Sequence, residues 1–419
     1  MGHAQAVFRT MSPVSFHASP VPRPRRLAIV LSHPTQYYSP WFAWIAAHVP
    51  LDLRVFYLWD FGVTAQRDPQ FGTTVTWDVD LLSGYPHEFV PNRSSDPGTH
   101  RFSGLVNPAL PERLAVWQPD VILLFGYNYA SHLRTVWWAR TRCVPLIFRG
   151  DSHFLGRATP GRLKRLLLRV LYRQFAAITS VGRANRDYFL RLGVPPSRLH
   201  FAPHSVDATR FDPGRLDHVE AAARLRHHLG LAPEIRVVLF AGKLVAAKQP
   251  RALLTAYLAT PRSGTALVFV GEGDEKAALQ AQAAGAPDVH FLPFANQSEM
   301  PSRYLLADLF VLPSRGHYET WGLAVNEAMH LGVPALVSDR VGCQRDLVSH
   351  GETGWVFAAT DPTALAPCLA AALADLAVTE RRERIRRAVL ARIAGYTYAR
   401  TTAGLLDALA SLPPPHSPP

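Results

Sequence analysis

Short apolar runs alternate with helical stretches along most of the chain, and that alternation is the strongest restriction on its fold. Runs at residues 26–31, 51–58, 120–125 and 144–148 read as buried strands, as does 177–182 after a helix at 162–175. A second set begins at residue 235 and includes the runs 237–240, 267–270 and 309–312. Strand–helix alternation of this kind predicts an α/β architecture with mostly parallel sheets. At 419 residues the chain is long enough for two domains of ordinary size. It shows no internal repeat at the periods that mark solenoids. Residues 1–25, rich in Pro, His, Ser and Arg, and the proline-rich residues 413–419 are expected to be disordered tails.

One strand–loop–helix unit carries chemistry. The run 309–312 is ended by Pro313 and Ser314, and a helical pattern from Leu323 to Leu331 is closed by Gly332 and Pro334. Glu319 lies in the loop between them and Glu327 on the helix, eight residues on. In an open α/β sheet, ligands bind at the carboxyl ends of the strands. Two acceptor carboxylates there suit a ligand rich in hydroxyls. The plainer alternative is a helix whose acidic first turn complements its dipole.

The basic residues sharpen the choice. Lys and Arg total 44 in a chain of net charge +12, yet the only lysines are Lys164, Lys243, Lys248 and Lys276. Two of them, Lys243 and Lys248, share the loop after the strand at 237–240. A compact ammonium suits a phosphate held as a point charge. The competing reading is two solvated surface lysines.

These segments together resemble the retaining glycosyltransferases of family 4. The likeness is carried by the Glu319-to-Glu327 spacing, by Ala241-Gly242-Lys243 with Lys248, and by Gly271-Glu272-Gly273. It continues in Gly332-Val333-Pro334 and Gly351-Glu352-Thr353-Gly354, and spans roughly residues 237–362. It is looser in the N-terminal half. The resemblance implies a GT-B fold, in which two Rossmann-like domains face each other across a deep cleft. It implies an acceptor-binding domain at 26–207, completed by a helix at 396–412 that crosses back, and a nucleotide-sugar-binding domain at 208–395. It further implies transfer of a sugar from a nucleotide-diphosphate donor to a glycan or lipid-linked acceptor, with retention, in bacterial-type cell-surface polysaccharide or glycolipid synthesis.

Roles follow residue by residue. Gly242, Lys243 and Lys248 should cradle and neutralise the diphosphate, so that no metal and no cofactor is required. Glu327 should accept the ribose hydroxyls, and Glu319 those of the donor sugar. Thr320, Trp321, Gly322 and Leu323 should face the sugar or phosphate. From the first domain, relatives present a histidine to the reacting sugar. Here both Asp151 and His153 fit the register, with His153 favoured because an imidazole can donate near neutral pH. The glycine-rich first loop of the family is replaced by His33-Pro34-Thr35-Gln36, followed by Tyr37 and Tyr38. Those tyrosines, with Trp41, Tyr127 and Tyr129, could stack on a sugar or belong to the core.

Other features weigh less. Gly271-Glu272-Gly273 lacks the third glycine of a dinucleotide fingerprint and reads as a tight turn. Asp78 and Asp80 match an Asp-x-Asp metal motif, but they lie in an alternating stretch, 74–82, that reads as a strand with outward acids. Cys143, Cys343 and Cys368 lie far apart, which argues for a reducing compartment and against a disulfide framework or a zinc site. No run is long enough for a membrane span, so a cytoplasmic protein is expected. On the helix at 162–175, Arg162, Arg165, Arg169 and Arg173 form one stripe and the leucines another. The leucines should face the core. The alternative is a basic helix resting on anionic lipid at the cytoplasmic face of the membrane. Nucleic acid would also suit the charge, but no binding motif accompanies it. A nucleotide-sugar epimerase and a catalytically silent nucleotide-sugar-binding subunit remain the alternatives of other classes.

Overall fold

The computed structural model describes residues 24–64, 66–67, 74–156, 160–315 and 319–413. The expected tails at 1–23 and 414–419 lie outside these residues, as do Gly316, His317 and Tyr318. The order starts earlier than the sequence suggested, because the first strand is Arg25–Leu31. The Arg25 guanidinium anchors that start by donating to the carbonyl of Leu409, 2.8 Å away, and to that of Pro413.

Two parallel sheets form the frame. The first has seven strands in the order His87–Phe89, Leu51–Tyr57, Arg25–Leu31, Val121–Phe125, Leu146–Arg149, Ala177–Ser180 and Leu199–Phe201. The second has six, in the order Val289–Leu292, Thr265–Val270, Arg236–Ala241, Leu309–Leu312, Ala335–Ser338 and Gly354–Phe357. The strands read as near-continuous apolar runs because both faces of each sheet are covered; every residue of Thr265–Val270 is buried.

Each sheet begins at its middle, builds outward on one side, and then crosses to the other. The reversal falls between Arg25–Leu31 and Val121–Phe125 in the first sheet, and between Arg236–Ala241 and Leu309–Leu312 in the second. At such switch points the loops diverge and leave a crevice. The loops flanking the second one are those that carry Lys243 and Glu319.

The helices Leu110–Trp117, Ala130–Thr141, Arg162–Tyr172 and Arg183–Arg191 cover one face of the first sheet, through a core that includes Leu114, Trp138, Tyr172 and Phe189. The helix Ser39–His48 covers the other face together with the last helix, Tyr398–Ala410. That last helix therefore crosses back from the second unit. Its Thr402 hydroxyl accepts from the Trp41 indole at 2.8 Å, and Thr401 meets Ser205 at 2.9 Å.

Two expectations are corrected. The stretch 74–82 is a strand only at Thr74–Val75, because the Asp80 carboxylate accepts from the amides of Leu82 and Ser83 and folds the chain into a turn. On Arg162–Tyr172, Leu163, Leu166 and Leu167 do not face the core. The helix rests on the sheet through Leu168 and Tyr172, while Leu163, Leu166, Leu167 and Val170 are 72, 57, 60 and 48 % exposed. The face between Leu168 and Tyr172 is opposite the leucines at 100° per residue, so burying one exposes the other.

Candidate active site

The carboxyl edges of the two sheets meet across a cavity of about 370 Å³, within the range of small-molecule sites. On the second edge, the strand Arg236–Ala241 ends at Gly242, whose φ of +146° few side chains could adopt. A Cβ there would lie 3.3 Å from the Lys248 ammonium. The glycine thus lets the lysine fold back over the loop into the cavity. Its Nζ pairs with Glu319 Oε2 at 2.9 Å, and the Ser314 hydroxyl donates to the same oxygen at 3.2 Å. Lys243 also lines the cavity.

Helix Leu323–His330 starts from Gly322 at φ +100°, packed so closely on Val341 and Leu312 that a Cβ would clash. This start carries Glu327 inward until it is 3 % exposed. Its Oε2 accepts from the Tyr304 hydroxyl at 2.7 Å. Its Oε1 is buried and lacks a hydrogen-bond partner. Burial pushes the carboxyl up to about 7, although the Tyr304 hydrogen bond, the nearby Tyr37 hydroxyl and the charges of Arg210 and Lys248 oppose it. The carboxylate is thus only half-satisfied within the protein.

The first edge contributes Asp151, just beyond the strand Leu146–Arg149. Its side chain is still 40 % accessible because it opens into the cavity. It accepts from the Thr320 hydroxyl at 2.7 Å, and His204 Nε2 lies 3.8 Å away. Loss of solvent would raise Asp151, but hydrogen bonding from the Thr320 hydroxyl and the nearness of His204 hold it down at about 2. Behind it, Arg149 is buried, donates to the carbonyls of Ala202 and Pro203, and lies over the rings of Tyr38 and Trp41. Burial lowers the guanidinium from its ordinary value.

Asp151, Gly242, Lys243, Lys248, Glu319, Thr320, Trp321, Gly322, Leu323 and Glu327 thus all line one cavity. His153 does not. It is buried, its Nδ1 accepts from the Leu155 amide at 3.0 Å and its Nε2 lies 3.3 Å from the Glu319 carbonyl oxygen. The amide fixes Nδ1 as the acceptor, so Nε2 bears the proton and ties the two edges together. Trp321 is similarly committed, its indole donating to Asn326 Oδ1 at 2.8 Å while the Asn326 amide reaches the His204 carbonyl.

Sequence reasoning missed Trp77, Phe294, Gln297, Met300 and Tyr304, which also line the cavity. None sits in a recognisable spacing. Of the tyrosines offered as sugar platforms, Tyr37 reaches the cavity, whereas Tyr38, Trp41, Tyr127 and Tyr129 pack in or against the cores of the first sheet. Asp80 caps its own turn and Asp78 accepts from the Ser298 amide.

A crevice lined by lysines and carboxylates thus lies between facing switch points of two Rossmann-like sheets, which is a GT-B architecture. Comparisons with known proteins agree. The family model "Glycosyltransferase Family 4" matches residues 62–210, and "Glycosyl transferases group 1" matches residues 223–391. A D-inositol 3-phosphate glycosyltransferase of Actinosynnema mirum is 33 % identical over 73 % of this chain and 79 % of its own. One of Salinispora arenicola is 26 % identical over 93 and 92 %. A GDP-mannose-dependent phosphatidylinositol monomannoside mannosyltransferase of Mycolicibacterium smegmatis is 29 % identical over 63 and 74 %. Among solved structures, HepE of Anabaena in complex with UDP and glucose superposes with a TM-score of 0.68 at 18 % identity, covering 93 % of this chain and all of that one. WaaG, a glycosyltransferase involved in lipopolysaccharide biosynthesis, gives 0.62 at 17 %, covering 91 and 99 %. The chain belongs to the family 4 glycosyltransferases and is a GT-B enzyme.

Proposed function

We propose that this glycosyltransferase moves a sugar from a nucleotide diphosphate to a lipid-linked acceptor, with retention and without a metal. One observation carries the donor half of the reading. Glu327 lines the cavity that also holds Lys243 and Lys248, and one of its carboxylate oxygens is buried without a partner. A ribose hydroxyl completes the carboxylate, and the attached diphosphate then lies by the ammonium groups. Lys248, now paired with Glu319, turns to the β-phosphate and frees Glu319 for the donor sugar. The bond from the anomeric carbon to the β-phosphate oxygen breaks, the new bond forms to the acceptor oxygen, and the acceptor proton passes to the departing phosphate. The lysines stabilise the charge that develops on that leaving group. Asp151 and Thr320 border the sugar from the first edge. UDP- and GDP-sugars are the donors to try first, with inositol-bearing lipids as acceptors, since these are the chemistries named for similar proteins.

The acceptor half rests on the outward helix Arg162–Tyr172. Its exposed stripe of Leu163, Leu166, Leu167 and Val170 is flanked by Arg162, Arg169 and Arg173 on one side and Lys164 on the other. Leu133 and Trp137 are exposed on Ala130–Thr141, which belongs to the same layer over the sheet. An apolar stripe edged with cations suits an anionic bilayer surface. No helix among the described residues is long and apolar enough to cross one.

Incubation of radiolabelled nucleotide sugars with membrane lipid extract, with and without EDTA, tests the reaction. We expect label in the lipid phase with at least one donor in the presence of chelator. Loss of activity in EDTA with rescue by manganese would overturn the metal-free mechanism. For the membrane, Arg162, Arg165, Arg169 and Arg173→Gln should weaken sedimentation with anionic vesicles, and Leu166→Ser with Leu167→Ser should abolish it. High salt should release only part of the wild type, because screening to a Debye length of about 3 Å at 1 M leaves the leucines untouched. Undiminished sedimentation of the leucine variant would assign the binding to another surface.

A further inference from the structure

The segment Thr76–Trp77–Asp78 leaves the first unit and is fastened to the second. The Asn296 amide donates to the Thr76 carbonyl at 2.8 Å, and the Asp78 amide donates back to Asn296 Oδ1 at 3.4 Å. The Ser298 amide donates to both oxygens of the Asp78 carboxylate at 3.2 Å, and the Ser298 hydroxyl donates to one of them. Between these ties Trp77 is turned into the cavity. On its own side it lies against Gly62, where φ is +90° and a Cβ would come within 2.9 Å of the indole. On the other side its ring centre is 6.4 Å from that of Phe294.

This aromatic pair sits at a particular end of the site. With ribose on Glu327, the phosphates lead toward Lys248 and Glu319. The base then falls against the rest of the lining, which includes Tyr304, Phe294, Ala295 and Gln297. The two rings are tilted by 50°, so the slot they bound is wedge-shaped, and a base in it stacks on one ring and meets the other at its edge.

We propose that Trp77 forms the roof of the nucleobase slot and that Asp78 is the clasp that holds the roof down. The donor site is then completed only when the two units are fastened together. Asp78, read in the sequence as an outward acid of a strand, is a positioning residue acting through hydrogen bonds to Asn296 and Ser298. The proposal rests on the donor reading above, and its test separates the two.

UDP, GDP and ADP are each titrated into the full-length protein by calorimetry, and the tightest is carried into the variants. Stacking on one aromatic ring contributes enough that Trp77→Ala should weaken that nucleotide roughly tenfold to a hundredfold. Trp77→Phe should restore most of the affinity. Asp78→Ala should raise the dissociation rate in stopped flow and leave the association rate unslowed. A Trp77→Ala protein that binds as the wild type overturns the roof, and so does a Phe variant as weak as the Ala variant. An Asp78→Ala protein with an unchanged dissociation rate overturns the clasp. In those cases the wild type still binds nucleotide and the donor reading stands. Failure of the wild type to bind any of the three nucleotides removes the donor reading itself, and the roof with it.

Discussion

The two edges that meet across the cleft are built on different plans. On the second edge the working groups are charged and close in sequence to the strands that present them. Lys243 and Lys248 follow Arg236–Ala241, and Glu319 to Glu327 spans the turn from Leu309–Leu312 into its helix. On the first edge the groups come from scattered places. Tyr37 follows the first strand, Trp77 stands on a turn, Asp151 follows Leu146–Arg149, and His204 lies where the chain crosses between units. The contrast has a chemical cause. On the proposed reading, ribose and diphosphate ask for the same few groups whatever the acceptor, and a strand end with its helix start supplies them locally. The facing edge would then fit the acceptor and close the cleft, tasks met by contacts distant in sequence.

The sharpest way to break this division is to compare one residue from each edge in a donor–acceptor assay. Lys248→Ala should show the largest effect of any substitution considered, lowering turnover by about 10²–10³, the usual cost of removing one preorganised electrostatic contact to a developing charge. It also strands the Glu319 carboxylate, now 2.9 Å from the ammonium. Glu319→Gln should come next, with turnover falling further than donor affinity, if its charge supports positive character at the reacting sugar. Should Asp151→Asn cost more than either, the chemistry is centred on the first edge and the division fails.

How far each edge could be read from sequence follows from the same contrast. The strand–loop–helix at 309–331, the loop carrying Lys243 and Lys248, and the two-sheet α/β frame were legible because period, breaker residues and charge act over a few positions. The returning helix Tyr398–Ala410 was legible only through the family resemblance. Trp77 was not, since nothing in the stretch 74–82 signals that its partner is Phe294. The leucines of Arg162–Tyr172 were misplaced for a related reason. Periodicity shows that a helix has two faces but not which of them meets the sheet, and here Leu168 and Tyr172 took the inner position. That Asp151 lines the cavity and His153 does not likewise depends on a tertiary contact, the Nε2 of His153 meeting the Glu319 carbonyl.

That last pair gives a smaller, sharper comparison within the first edge. Asp151→Asn keeps the shape that meets Thr320 but removes a charge held well below the usual carboxylate range. Turnover should fall at least tenfold, with little loss of thermal stability. His153→Gln can replace at most part of the bridge from the Leu155 amide to the Glu319 carbonyl. It should lower stability by about 1 kcal/mol, the typical net worth of a hydrogen bond, and slow turnover only modestly. Melting curves and steady-state kinetics on both variants decide between them. A His153→Gln protein of normal stability and negligible turnover would restore the histidine to the reaction.

The smallest effect concerns pH and returns to the second edge. Burial raises the Glu327 carboxyl from 4.5 to about 7, so between those values the folded protein holds a proton that the unfolded chain has released. Stability from this source is fully present below pH 4.5 and is lost as pH rises through about 7. Nucleotide binding should run the other way. Ribose hydroxyls donate more strongly to an ionised carboxylate, so affinity for a nucleoside diphosphate should tighten several-fold, at most about tenfold per pH unit, between pH 6 and 8. Ionisation of the diphosphate contributes to the same trend, and Glu327→Gln isolates it because the ligand titrates identically in both proteins. The wild type should gain affinity with pH faster than the variant and lose melting temperature faster. Parallel profiles in the two proteins would mean that Glu327 is already ionised in the free enzyme. Tyr37, on the facing edge, would then be the first group to substitute, because it lies beside that carboxyl in the cavity and is itself raised by burial and by the Glu327 charge.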